Sequence, residues 1–107
     1  MIEKVVRDGQ VAVLYSPGFG AGWSTWTHGD EDLFQRVLFD PETVAWVEAG
    51  KPVERPDFEN KFGDLFYDGG ADDLTIRWIP VGQRFRIHEY DGSESVVLDH
   101  EDDWVVA

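Results

Sequence analysis

Gly18, Gly20 and Gly22 alternate through the segment Ser16-Pro17-Gly18-Phe19-Gly20-Ala21-Gly22-Trp23. An apolar run, Val11-Ala12-Val13-Leu14-Tyr15, precedes them, and a helix-like stretch opens at Asp30. A strand, a glycine loop and a helix in that order can hold a phosphate, because backbone N–H groups and the positive end of the helix converge on an anion. Two details oppose this. The spacing is G-x-G-x-G rather than G-x-G-x-x-G, with no Gly-Lys-Ser/Thr, and Asp30-Glu31-Asp32 at the helix start repels phosphate. A small-molecule or nucleotide site at Gly18–Gly22 is therefore carried only as an alternative.

The aromatic residues of the same loop suggest different chemistry. Phe19, Trp23 and Trp26 on a glycine frame can present an apolar binding surface, since Trp is enriched in interface hot spots. The plainer reading folds the tryptophans back onto the core, with the glycines permitting close approach. A second candidate is the acidic run Asp99-His100-Glu101-Asp102-Asp103, which can face a cation or a basic partner or simply form a solvated turn. It lacks the D-x-[DN]-x-[DN]-G spacing of a calcium loop. His28, His88 and His100 lie far apart, with no H-E-x-x-H and no cysteine, so zinc is poorly served. Ser16 and Ser24 sit outside any G-x-S-x-G context. The expectation is a non-enzyme with no metal and no cofactor. Phe19, Trp23, Trp26, Asp99, Glu101 and Asp103 are its candidate binding residues.

The elements that must position these residues follow from patterning. Residues 2–6 and 11–16 read as strands joined by an Asp8-Gly9 turn, and the continuous apolar run suggests that the second is buried on both faces and central. Leu33, Phe34, Val37 and Leu38 form one face of a helix over 30–39. A second helix is expected over 41–49, with Asp40 as N-cap, Pro41 in the first turn and Gly50 at its end. Phe58, Phe62, Leu65 and Phe66 have helical spacing interrupted by Gly63, which predicts a short helix. The last third reads as an antiparallel meander. With Asp91-Gly92 as a two-residue turn, Phe85 opposes Leu98, Ile87 opposes Val96, and Arg84 opposes Asp99. The same register sets Glu89 against Glu94, tolerable beside a solvated turn. Trp104-Val105-Val106 reads as a last strand.

Together these predict an α+β fold in one domain, residues 1–107. A mainly antiparallel sheet, from an N-terminal hairpin and a C-terminal meander, is packed by two helices at about 30–50.

Charge narrows the partners. The 107 residues carry 22 acids and 9 bases, a net charge of −13. The excess is not a tail: acids outnumber bases eleven to five through residue 60 and eleven to four after it. Such a field repels nucleic acids and anionic membranes and attracts basic protein surfaces, or it serves only solubility. The absence of cysteine argues against a disulfide-stapled secreted scaffold. Neither a signal peptide nor a run of about 20 apolar residues is present, so a cytoplasmic location is expected.

The segment Val11 to Trp26, with its Ser-Pro-Gly-Phe-Gly-Ala-Gly-Trp centre, resembles a family of small acidic proteins encoded by bacteriophages and prophages. Leu38-Phe39-Asp40-Pro41, residues 85–93 and Glu101-Asp102-Asp103-Trp104 fit the same pattern. The family has no assigned activity and transfers no site residues; the resemblance implies an accessory role in the bacterial cytosol.

Three functions follow as expectations. The first is a binding protein that modulates or inhibits a host protein with a basic surface, without binding nucleic acid or membrane itself. Rows such as Glu89 and Asp91, or Asp99, Glu101 and Asp103, space carboxylates about 7 Å apart along a strand, close to successive phosphates. The second is a structural, homo-oligomeric accessory protein. The third is the site at Gly18–Gly22.

Overall fold

The computed structural model describes residues 2–18, 22–27 and 29–98. It is an α+β structure with two antiparallel sheets. Strands β1 (Val6–Arg7), β2 (Gln10–Tyr15) and β3 (Thr75–Pro80) form one sheet in the order β1-β2-β3, and β4 (Phe85–Tyr90) and β5 (Ser93–Leu98) form the second. Helices α1 (Glu31–Phe39), α2 (Pro41–Glu48) and α3 (Phe58–Phe62) lie between β2 and β3 in the chain.

The two Asp-Gly turns behave alike. Asp8 and Gly9 have φ of 51° and 75°, and Asp91 and Gly92 have φ of 51° and 83°. Positive φ at both central residues is the geometry whose twist matches a two-residue hairpin. It fixes the β4–β5 register as predicted, with Phe85 opposite Leu98 and Ile87 opposite Val96. The predicted partner of Arg84, Asp99, and the strand at Trp104–Val106 lie outside the described residues.

Strand β2 is central, as its sequence predicts. Ala12 and Leu14 face one core with Trp23, Val37 and Val44, while Val13 faces a second with Leu38, Phe39, Val96 and Leu98. A strand buried on both faces needs neighbours on both edges, and this explains a departure from the predicted meander. Strand β3 pairs with β2, setting Leu14 opposite Ile76 and Ala12 opposite Trp78, rather than with β4. The sheets are then joined through Arg77, whose Nη1 donates to the Val96 carbonyl oxygen at 3.0 Å.

The helices start where capping chemistry dictates. Asp30 accepts from Leu33 N, and Asp40 accepts from both Thr43 N and Thr43 Oγ1. Asp40 thus ends α1 and begins α2 within one residue. Lys61 at the end of α3 reaches back to Glu42 at 2.8 Å and Asp40 at 3.4 Å, binding α3 to this corner. Gly63, at φ 104°, ends α3 instead of interrupting a longer helix.

Candidate functional site

The loop after β2 is held by one carboxylate. Glu94, on β5, is 1% exposed. Its Oε1 accepts from Ser16 N at 2.9 Å, and its Oε2 accepts from Trp23 N at 2.8 Å, Thr25 N at 3.1 Å and Thr25 Oγ1 at 2.9 Å. Glu94 N also donates to the Ser16 carbonyl oxygen at 2.8 Å, and Ser93 Oγ donates to Pro17 O at 2.7 Å. Burying a carboxyl group is costly unless its oxygens are satisfied, and here four donors converge on them. The residues on either side of the glycine segment do converge on an acid group, as a phosphate cradle would, but the group belongs to the chain. Asp73 adds to this: its carboxylate lies where a Cβ on Gly18 would stand, so an incoming anion meets negative charge.

This corrects the expectation of a solvated Glu89–Glu94 pair. The two residues are cross-strand partners, but Glu94 turns inward on the face of Val96 and Leu98. Glu89 folds over the hairpin, where its Oε1 accepts from Gly92 N at 2.6 Å. The like-charge pair in the register was the one sequence signal for the most consequential polar residue of the domain.

A second loop, residues 63–73, packs on the first. Ser16 Oγ donates to Gly70 O at 3.0 Å, and a Cβ on Gly70 would collide with the Gly22 carbonyl oxygen. Only a glycine allows the two backbones this close. Ser24 Oγ is buried and has no hydrogen-bond partner among the described residues.

The candidate aromatics separate here. Trp23 is 0% exposed, with Phe58 and Phe66 edge-on at 5.1 and 5.0 Å and its indole N–H donating to Val37 O at 3.1 Å. It is a core residue and cannot serve as display surface. Trp26 is 50% exposed and meets Tyr67, 52% exposed, in a T-shaped contact with centroids 6.2 Å apart. Leu65, two residues before Tyr67, is 99% exposed, and Asp64 and Asp68, at the two ends of the stretch 64–68, are exposed. Sequence reasoning found Trp26 but missed Tyr67 and Leu65, whose loop comes near Trp26 only in three dimensions. Phe19, Asp99, Glu101 and Asp103 lie outside the described residues.

Among the described residues no group of three or more His, Cys, Asp or Glu side chains is arranged to hold a metal ion. No helix among them is long and apolar enough to cross a membrane. Neither family models, nor curated proteins, nor solved structures give a match to this chain.

Proposed function

We propose that this protein is a binding module that docks on a basic protein surface through the exposed Trp26–Tyr67 pair and the acids around it. The observation that carries this reading is the pair itself: two large aromatic rings, each about half exposed, held against each other on glycine-framed loops. Rigid aromatics of this kind supply contact area at little entropic cost and dominate interface energetics when a partner desolvates them. Asp64, Asp68, Asp72 and Asp73 on the same loop are exposed and give the surroundings a negative rim. A net charge of −13 then speeds encounter with a basic partner and disfavours acidic ones.

In the phage setting implied by the sequence resemblance, the partner is a host protein whose basic surface normally holds nucleic acid. The aromatic pair supplies the contact and the acids supply steering. The test compares the tagged protein with a Trp26→Ala/Tyr67→Ala variant on bacterial lysate, each eluted by a salt gradient. A basic protein retained by the parent chain, released at moderate salt and lost on the variant supports the reading. Equal retention by both, or recovery of the chain's own copies alone, sinks it.

A further inference from the structure

A groove runs between α1 and β4. It encloses about 410 Å³, and its apolar walls are Phe34, Leu38, Phe39, Phe85 and Ile87. That volume is in the range of about 300–1,000 Å³ typical of small-molecule sites. Phe39 and Phe85 meet edge-on at 6.2 Å, which joins the helix wall to the strand wall. Thr25, whose N–H and hydroxyl both donate to Glu94, also lines the groove.

The charges around it run against the rest of the protein. In a chain with 22 acids and 9 bases, this groove is lined by two bases, Lys4 and Arg86, and by no acid among the described residues. A second groove, beside Arg36 and Lys61, differs in that it carries three acids, Glu3, Asp40 and Glu42, in its lining. Lys4 is a cation whose position has no acidic explanation among the described residues. Arg7, Arg36 and Lys61 are ion-paired, whereas Lys4 forms no ion pair among the described residues and holds its Nζ 4.7 Å from the Phe39 ring centroid. An ammonium over an aromatic wall, beside an apolar volume, is arranged to meet an anionic head whose body enters the groove.

We propose that the α1–β4 groove binds a small amphipathic monocarboxylate, with its apolar body among Phe34, Leu38 and Phe85 and its carboxylate at Lys4. A cationic ligand would place positive charge beside Lys4, and a purely apolar one would leave Lys4 unused. Neither matches the lining.

The experiment is a titration of the full-length, ¹⁵N-labelled protein with decanoate at neutral pH, followed by amide chemical shifts, with decanol as the neutral twin. Saturable shifts concentrated at Phe34, Leu38, Phe85 and Ile87 are expected, with decanol binding more weakly. Lys4→Gln should weaken decanoate by about fivefold, the upper range for an exposed ion pair. Gln35→Trp, at a half-buried position of α1 lining the groove, should block it while leaving the melting temperature nearly unchanged. Non-saturating shifts spread over the surface would overturn the site, as would parent-like binding by Gln35→Trp. Equal affinity for decanol, or an unchanged affinity in Lys4→Gln, would overturn the assignment of an anion.

Discussion

Glu94 Oε2 accepts a hydrogen bond from Trp23 N at 2.8 Å, across 71 residues of chain. The contact couples the last hairpin to the core tryptophan. Two residues further on, Thr25 gives two more donors to the same oxygen. The backbone on both sides of the glycine segment, at Ser16 and Trp23, is thus held by a side chain that arrives from β5.

Replacing Glu94 should reveal that dependence. Glu94→Ala leaves the N–H groups of Ser16, Trp23 and Thr25 buried without their acceptor and should cost about 3–5 kcal/mol. Glu94→Gln keeps one acceptor oxygen, which can take the three-donor position, but turns an amide NH₂ toward Ser16 N. It should cost about 1–2 kcal/mol. Urea denaturation of both variants checks the order; equal losses would show that the carboxylate's hydrogen bonds do not hold the loop.

The two tryptophans should respond in opposite ways. Trp23→Ala empties a site enclosed by three phenylalanine rings and should cost about 3–5 kcal/mol. Trp26→Ala removes a half-exposed ring and should cost about 1 kcal/mol or less. For a domain of this size each kcal/mol moves the melting temperature by about 4–8 °C. Thermal melts of the two variants therefore separate clearly, and comparable shifts would contradict the division between core and surface.

Gly70→Ala tests the contact between the two loops. Gly70 has φ −84°, which alanine adopts freely, so the backbone itself carries no penalty. The added methyl would meet the Gly22 carbonyl oxygen, and opening the loops should cost about 1–3 kcal/mol. Because Ser16 Oγ is bonded to Gly70 O, faster amide exchange at Trp23 and Thr25 should accompany the loss.

Lys61 predicts behaviour in alkali. Burial pulls its pKa down, but hydrogen bonds and charge from Glu42 and Asp40 outweigh this and raise it above the usual lysine value. A raised folded-state pKa means that the ion pairs contribute fully below about pH 10.5 and are lost as pH rises through the folded value. The stability gap between the parent and Lys61→Met, measured by urea denaturation, should therefore be present at pH 8 and shrink above pH 11. A constant gap would show that the ammonium charge is not what holds α3 to the Asp40 corner.

What the sequence disclosed follows the reach of each interaction. The caps Asp30 and Asp40, Pro41 and the two Asp-Gly turns act within a few residues, so both long helices and the β4–β5 register were legible. So was the two-sided burial of β2, because an apolar run needs no partner to be recognised. The pairing of β3 with β2 was not legible, since it is decided by which distant strand fills a vacant edge. At the candidate site the same limit applies. Trp23 and Trp26 are alike in composition, and only the packing of residues 58–67 assigns one to the core and leaves the other beside Tyr67. Glu94 was readable merely as an awkward neighbour of Glu89, because local rules place a charge near a turn in water.

The dependence of the loop on Glu94 also has a consequence in time. A chain made from its N-terminus exposes the donors of Ser16, Trp23 and Thr25 long before residue 94 exists to receive them. Until β5 is synthesised and docked, the segment that mounts Trp26 has no acceptor to shape it. The aromatic surface therefore assembles only after β5 has been made, and a fragment broken off before the β4–β5 hairpin lacks the carboxylate that shapes it.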